Sequence, residues 1–350
     1  MVQKFGVAVE WAVVSLDMFI LAPWSCIGKC GGIIVEKLVL SILALAVSLL
    51  ILYWGSKRVV RGASGLSSCL NINRVIVGTV FVAFVTALPE LLSSLFAVAL
   101  GSTHLALGNI IGSNIYNIPL IIGICGLVGG GLKMKNSAIT KECIFMMGLS
   151  LLMITLLAVT RMVTWWIGAI FVAFYPIFIF YSIRNGTCST PEECGEPNRS
   201  LRNVTTDMLM GGGALVASTF LLVYSALTLS TLFGLNQFYV GLTVVALGCV
   251  VPEVAVSVTA ALAGEQEITI GNVIGDNMLT LTLVFGLVGL TSSFNVSLSE
   301  LLYTAPFMVI ATFMLFAMNK LGHNVTRTWG FMMLATAGLA FIFQTGYSLI

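Results

Sequence analysis

Three carboxylates lie inside long apolar stretches of the sequence. Glu90 and Glu253 each follow a proline directly, and Asp276 lies in a later apolar stretch. A carboxylate at the centre of a bilayer costs at least about 2.5 to 3.5 kcal/mol on insertion scales, so it needs a cation, a proton or a hydrogen-bond donor as its partner. The three residues therefore predict cation binding within a membrane. The alternative is a pair of kinked helices that carry protonated, purely structural glutamates.

The two prolines indicate a further source of oxygen ligands. A proline lacks an N–H group and pushes against the carbonyl one turn back, so we expect one helix to break near Val85 and Thr86. We expect the other helix to break near Gly248 and Cys249. Freed carbonyls at membrane depth are tolerated where they line a cavity, and hard cations such as Ca2+ prefer oxygen ligands. The prolines thus predict that backbone oxygens lie beside the glutamates.

Two polar stripes lie in the apolar stretches that follow the glutamates. In each stripe three polar residues are spaced four apart, so they share one face of a helix. The stripes are Asn109, Ser113 and Asn117 after Glu90, and Asn272, Asp276 and Thr280 after Glu253. Polar faces inside apolar spans are expected to meet each other. We interpret Asn109 and Asn272 as contacts between helices and Asp276 as a third ionisable group in the membrane interior.

The composition defines the kind of protein that must hold these residues. Of the 350 residues, 58% are hydrophobic and only 9% are charged, and the mean hydropathy is +1.05. These values exclude a water-soluble globule. The net charge is only +2, and no segment of the sequence is strongly basic. No nucleic-acid partner is therefore expected. The eight cysteines form neither a C-x-x-C pair nor a Cys/His cluster, which argues against a disulfide scaffold.

Ten apolar runs are long enough to cross a bilayer as helices, which predicts an all-α polytopic membrane protein embedded in lipid. An eleventh apolar run, near 5–27, contains two acidic residues, and we favour an extra span over a signal anchor or a cleaved signal. The ten runs lie near 38–54, 73–100, 105–130, 143–159, 163–183, 207–232, 236–263, 267–290, 300–318 and 328–349.

The distribution of basic residues predicts the orientation of these spans. Twelve Lys and Arg residues lie in loops after the odd-numbered spans of the ten, and three lie on the other side. Basic loops stay in the cytoplasm. We therefore expect the central loop, 184–206, to be cytoplasmic and the protein to reside in the plasma membrane.

An internal repeat relates the two halves of the chain. Residues 77–117 and 240–280 align without a gap at a shift of 163 residues, with fourteen identical positions. These include the Pro-Glu pair and a G-x-x-x-G motif, Gly108 and Gly112, which predicts close helix packing. Five spans in each half mean that the second half enters the membrane from the opposite side. We expect two inverted five-helix repeats, 38–183 and 207–350, after an N-terminal segment, 1–36, with the site between them at the midplane.

The repeated motifs resemble a known family. V-T-A-L-P-E and G-C-V-V-P-E, followed by G-N-I-I-G-S-N and G-N-V-I-G-D-N, are similar to the α-repeats of the calcium/cation antiporters, above all the sodium/calcium exchangers. The resemblance covers most of residues 38–290. It implies a ten-helix exchanger, not an enzyme, in which Glu90 and Glu253 bind Ca2+ and Na+ alternately without any cofactor.

The sequence departs from the family pattern near both glutamates. Where the family usually has Ser and Thr three and four residues before each glutamate, the chain has Ala87 and Thr86 in the first half and Val250 and Cys249 in the second. Three hydroxyl groups are therefore missing. In the later motifs Ser113 and Asn117 fit the family. The equivalent residues of the second half are Asp276 and Thr280, so the acid lies one turn from its position in many relatives.

These observations favour a secondary active antiporter that exchanges Ca2+, or a similar divalent cation, for Na+ by alternating access. The candidate ligands are Glu90, Glu253, Asp276, Ser113, Asn117, Thr86, Thr280 and Cys249. One alternative is a proton-coupled exchanger, or an exchanger of another cation, with the same fold. A passive cation channel is a second alternative, but a channel does not need two inverted copies. The sequence predicts no oligomeric state.

Overall fold

The structure is a computed structural model that describes residues 30–70, 83–128, 137–185, 201–262, 266–320 and 325–348. The predicted extra span near 5–27 lies outside these residues. In the first half the helices are α1 (Cys30–Leu70), α2 (Ala83–Thr86), α3 (Leu88–Ala99), α4 (Thr103–Val128), α5 (Ser137–Thr160) and α6 (Trp165–Asn185).

The second half contains two π-helical turns as well as α-helices. Its elements are α7 (Leu201–Phe233), α8 (Gln237–Val240), π1 (Gly241–Val245), α9 (Ala246–Leu262), α10 (Gln266–Leu279), π2 (Thr280–Val284), α11 (Phe285–Thr291), α12 (Leu298–Lys320) and α13 (Arg327–Ser348). Two short strands, β1 (Met162–Val163) and β2 (Phe294–Asn295), pair antiparallel. α8, π1 and α9 follow one another directly, as do α10, π2 and α11.

Eight helical stretches of the described chain are long and apolar enough to cross a membrane. Two shorter apolar helices, Leu88–Ala99 and Trp165–Phe180, lie within the predicted second and fifth spans. The helical, multi-pass membrane architecture is therefore confirmed, with two short strands as its one addition in the described residues, and the count of ten spans stays a prediction. The eight stretches are Glu36–Val59, Thr103–Val128, Thr140–Thr160, Arg202–Phe233, Gln237–Thr259, Thr269–Thr291, Leu298–Lys320 and Arg327–Gly346.

The helix packing follows the repeat. By the order of the spans, α1 corresponds to α7 and α4 to the continuous helix formed by α10, π2 and α11. In the same way α5 corresponds to α12, and α6 to α13. α1 packs along α7, and α5 packs along α12, so these two contacts join equivalent helices. The contact of α4 with α13 has its counterpart in the contact of α11 with α6. The two halves therefore interlock, and each contributes helices to one common core.

Two connections between helices meet at one end of the bundle. β1 joins α5 to α6 and β2 joins α11 to α12, and the strands pair with Val163 opposite Phe294. At the other ends of the same helices, the Asn319 amide donates to the Thr140 hydroxyl at 2.7 Å. α5 and α12 are thus antiparallel. We call the end of the bundle that carries the two strands the β1–β2 face.

The helices that carry the Pro-Glu pairs differ in shape. α2 ends at Thr86 and α3 begins at Leu88, with Ala87 between them at φ −80° and ψ 0°. The predicted break in the first half is therefore confirmed to within a residue. The predicted break near Gly248 and Cys249 is wrong, because α9 continues without interruption through Pro252. Membrane helices tolerate proline when local π adjustments satisfy the backbone, and here the π1 turn lies immediately before α9.

α1 is longer than the predicted span at both ends. Its 41 residues correspond to about 60 Å at ~1.5 Å per residue, twice the roughly 30 Å of hydrocarbon. The charged residues after the apolar run continue the helix, and among them Arg58 pairs with Asp207 of α7 at 3.2 Å and lies over the Trp54 ring. A Cβ on Gly55 would lie 3.1 Å from the carbonyl oxygen of Gly211, so the two backbones approach closely.

Candidate functional site

The three intramembrane carboxylates meet in the centre of the structure. Glu90 lies on α3, Glu253 on α9 and Asp276 on α10. One oxygen atom from each side chain lies within 4.8 Å of the other two. All three side chains have no exposed surface. The structure thus brings together three carboxylates that are far apart in the sequence and come from both halves.

Two hydrogen bonds across the boundary between the halves hold this cluster. The Asn117 amide on α4 donates to Oδ2 of Asp276 at 2.5 Å. The Thr86 hydroxyl on α2 donates to Oδ1 of Asn272 at 3.3 Å. Each bond joins the first half to α10 in the second half. The position of the cluster therefore depends on how the halves pack together.

Most oxygen atoms at the cluster receive no hydrogen bond. Among the described residues, no amide or alcohol group donates to either carboxylate oxygen of Glu90 or Glu253, or to Oδ1 of Asp276. The carboxyl groups of Glu253 and Asp276 are close enough to share a proton in a hydrogen bond with each other. The buried oxygens of Ser113, Asn117 and Thr280 also have no partner there. Buried polar atoms are almost always paired, because an unpaired one carries its full desolvation cost. The cluster is therefore an electron-rich centre suited to a cation.

The eight candidate ligands share one property. Every one of them has a relative exposed surface of 0%, so solvent does not reach these side chains among the residues that the structure describes. The candidate site is consequently occluded in this conformation. The eight are Thr86, Glu90, Ser113, Asn117, Cys249, Glu253, Asp276 and Thr280.

Asn109 joins α4, the helix that carries the polar stripe of the first half, to α3, the helix that carries Glu90. Its side-chain amide donates to Ser93 at 2.7 Å and to Ser94 at 2.9 Å. It also donates to the backbone carbonyl of Glu90 at 3.3 Å. Asn109 thus sets the distance between α4 and α3, and its contact is with another helix, as we interpreted from the sequence.

Asn272 makes the equivalent contact in the second half. Its amide donates to the Ser257 hydroxyl at 3.2 Å. Sequence reasoning missed Ser93, Ser94 and Ser257, although the repeat contained a signal. Ser94 and Ser257 are equivalent and identical, and each lies four residues after its glutamate, on the same helix face.

Glycine allows α4 to lie directly against the rod formed by α8, π1 and α9. A Cβ on Gly108 would overlap the carbonyl oxygen of Phe238, and one on Gly112 would overlap that of Leu242. The close packing predicted for the G-x-x-x-G motif is therefore confirmed. This contact holds the helix that carries Ser113 and Asn117 against the helix that carries Glu253.

Comparison with known proteins relates the chain to membrane exchangers. The family model described as sodium/calcium exchanger protein matches residues 40–184 and 206–346. The putative antiporter CaxA of Alkalimonas amylolytica is 32% identical over 249 residues, which is 69% of this chain and 77% of the relative. The sodium/calcium exchanger MaX1 of Methanosarcina acetivorans is 26% identical over 344 residues, 86% of this chain and 98% of the relative.

Solved structures show the same fold. The sodium-calcium exchanger NCX_Mj, in a crystal soaked with Na+ and Sr2+, superposes with a TM-score of 0.65 at 22% identity. The match covers 87% of this chain and 99% of that chain. The family model matches twice, once in each half of the chain, and these matches together cover most of its length. The chain therefore belongs to the sodium/calcium exchanger protein family, a family of integral membrane transporters with two inverted repeats.

Proposed function

We propose that this protein is a secondary active antiporter that exchanges Ca2+ for Na+ by alternating access. The observation that carries the proposal is the cluster of Glu90, Glu253 and Asp276, which is wholly buried at the boundary between the halves. The names of relatives such as the sodium/calcium exchanger MaX1 support the choice of ions. We place the antiporter in the plasma membrane with the central loop, 184–206, in the cytoplasm.

The proposed ligands suit a hard divalent cation. Ca2+ takes about 6 to 8 oxygen ligands, often from carboxylates, amides and hydroxyl groups. Glu90, Glu253 and Asp276 supply the charge, and the rest of the set supplies neutral donors. The neutral members are Thr86, Ser113, Asn117, Thr280 and the thiol of Cys249.

The charge of the cluster provides the coupling. Carboxylates within 4.8 Å of one another repel strongly in a medium of low dielectric constant. When a divalent cation leaves, at least two monovalent cations must replace it to restore the same local charge. A site without cations is costly, so the conformational change takes place with the site loaded. This requirement links outward movement of one ion to inward movement of the other.

The two interlocked halves supply the alternating access. The occluded site lies between them, and inverted repeats permit two related arrangements that open to opposite sides of the membrane. The break at Ala87 separates α2 from the glutamate helix α3. We assign this break as the point where the first half bends during opening.

A proton-coupled exchanger of the same fold is the second candidate. Ala87 and Val250 are buried beside the glutamates and offer no side-chain oxygen. Monovalent metal ions therefore have fewer ligands here than in relatives with hydroxyl groups at these positions. Protons need no such ligands, since they bind the carboxylates directly.

Uptake of radioactive Ca2+ into proteoliposomes tests both candidates. Uptake is compared under an outward Na+ gradient, an outward H+ gradient and no gradient. The variants E90Q and E253Q remove charge from the cluster and should abolish uptake. The matched control is E300Q, because Glu300 is a buried carboxylate at the start of α12 that pairs with His104. Uptake that persists in E90Q and E253Q would refute the site assignment, and uptake driven only by H+ would favour the second candidate.

A further inference from the structure

An ion pair joins the two halves at the β1–β2 face, away from the carboxylate cluster. Nδ1 of His104, in the first turn of α4, lies 3.7 Å from Oε2 of Glu300, in the first turn of α12. α4 belongs to the first half of the chain and α12 to the second. The pair therefore spans the boundary between the halves at the end of the bundle where α12 begins.

The two side chains of this pair differ in their access to solvent. The Glu300 side chain is only 7% exposed, whereas that of His104 is 41% exposed. No amide or alcohol group of the described residues donates to Oε2 of Glu300. The His104 ring also lies edge-on to Phe294 of β2, with 6.0 Å between the ring centroids. An imidazole that solvent can reach thus faces a buried carboxylate.

Glu300 is the single charged side chain that the helices packed against α4 place between the cluster and the β1–β2 face. α3 carries no charged residue after Glu90, and α13 carries none after Arg327 at its opposite end. The rod of α8, π1 and α9 carries none before Glu253, and α10, π2 and α11 carry none after Asp276. Glu300 is therefore the charge that the His104 imidazole meets on these helices.

The other titratable groups on this side of the cluster do not change charge near neutral pH. They are the phenols of Tyr239 and Tyr303 and the thiol of Cys249, which as residue types titrate above about pH 8. Arg161, before β1, stays charged, and its Nε donates to a backbone carbonyl within its own turn at 2.8 Å. Of the described groups at this face, His104 is the one whose charge changes between about pH 5 and 8.

On the basis of the antiport function proposed above, we propose that His104 and Glu300 form a pH-sensitive latch that slows opening of the site toward the β1–β2 face when that side is acidic. The protonated imidazole and the carboxylate attract each other across the boundary, and a neutral imidazole loses this attraction. The pair is formed in the occluded conformation described above. Protonation therefore favours this conformation over any in which the two helix ends move apart.

The latch is present on one side of the repeat. At the shift of 163 residues, the residue equivalent to His104 is Glu267, near the start of α10. Glutamate as a residue type keeps its charge between about pH 6 and 8. Acid on the opposite face thus meets no equivalent imidazole, and the latch responds to the pH of the β1–β2 side alone.

Measurements of transport with the pH varied on one side test the latch. The maximal rate and the half-saturating Ca2+ concentration are measured in right-side-out and inside-out vesicles that contain the full-length protein. The pH of the outer medium alone is varied between about 8 and about 5.5, the range in which an imidazole titrates. H104Q and E300Q each remove the ion pair, and H104K makes its positive charge permanent. The matched control is H323Q, which removes the other histidine of the chain.

In wild type and H323Q we expect acid on the β1–β2 side to lower the maximal rate about two- to fivefold, the effect of a partly exposed ion pair. H104Q and E300Q should retain uptake and lose this part of the pH response, and H104K should be slow at both pH values. Protons that act on the carboxylate cluster would instead change the half-saturating Ca2+ concentration in all variants alike. If the rate responds to acid in H104Q and E300Q as it does in wild type, or responds from the opposite side only, the inference is wrong.

Hydrogen–deuterium exchange at the first turns of α4 and α12 gives a result that does not require transport. At about pH 6 these turns should exchange more slowly in wild type than in H104Q, and at about pH 8 the two proteins should exchange alike. This pattern in a protein without gradient-driven Ca2+ uptake would support the contact between the halves and refute the antiport proposal. Gradient-driven uptake with equal exchange at both pH values would support antiport and refute the latch.

Discussion

The Asn117 amide of one half donates a hydrogen bond to Asp276 of the other half, in the centre of the bundle. An amide N–H group stabilises the charged form of a carboxylate. The bond fixes Oδ2, and no amide or alcohol group of the described residues donates to Oδ1. Asp276 is thus oriented by one half while it presents an oxygen atom to the site shared by both.

This arrangement predicts the effect of removing the charge of Asp276. The substitution D276N keeps the size of the side chain and a hydrogen-bond acceptor for Asn117, but it removes one negative charge from the cluster. We expect the apparent affinity for Ca2+ to fall at least about tenfold, measured as the half-saturating concentration for uptake. N117A, which keeps the charge, should lower the affinity less. A D276N protein with wild-type affinity would exclude Asp276 as a ligand.

Restoring hydroxyl groups should strengthen the response to Na+. In the double variant A87S/V250S, each half gains an oxygen donor three residues before its glutamate. We expect the Na+ concentration that half-maximally drives Ca2+ efflux to decrease, by up to about tenfold. The measurement is efflux from proteoliposomes as a function of external Na+. An unchanged Na+ dependence would mean that these positions do not contact the monovalent ion.

The glycine contact between α4 and the α8–π1–α9 rod predicts a stability difference. G108A places a Cβ on the carbonyl oxygen of Phe238, and overpacking of this kind costs about 1 to 3 kcal/mol. The control G148A adds a methyl group to α5 where no described atom outside the adjoining backbone of that helix lies within 4 Å. Thermal unfolding in detergent should show a lower midpoint for G108A and no decrease for G148A. Equal midpoints for the two variants would contradict the close packing.

The two faces of the bundle predict which residues an impermeant reagent can label. Asn295 is exposed on the β1–β2 face and Lys141 is exposed at the opposite ends of the helices. With the orientation proposed here, N295C should react with an impermeant maleimide in intact cells. K141C should react only after permeabilisation. Wild-type protein provides the background from the native cysteines, and the reverse pattern would invert the proposed orientation.

The residues that could be found from the sequence are those that conflict with their surroundings. Glu90, Glu253 and Asp276 stand out because an acid inside an apolar span needs a reason. Ser93 and Ser94 do not stand out, since serine can satisfy itself within a helix. The internal repeat then predicts two equivalent halves, because the same Pro-Glu pair occurs in each of them.

The details that were missed concern the backbone. A proline predicts that a helix is disturbed but not how the neighbouring turns respond. Ala87 interrupts one helix, whereas α9 continues through Pro252 after a π-helical turn. Similarly, charged residues end an apolar run without ending the helix, as Arg58 shows in α1. The course of α9 at Pro252 and the length of α1 both depend on contacts with other helices. The hydrophobic periodicity of the sequence carries no information about these contacts.

Asp276 occupies the position that Ser113 occupies in the other half, and this difference has a consequence for symmetry. A two-subunit ancestor built from identical halves would carry every substitution twice. The acid would then appear at both positions, and four carboxylates would share one buried centre. Joining the halves in a single chain lets one copy acquire the acid, or the thiol of Cys249, while the other keeps serine and threonine. Covalent fusion thus permits an odd number of charges at a two-fold centre.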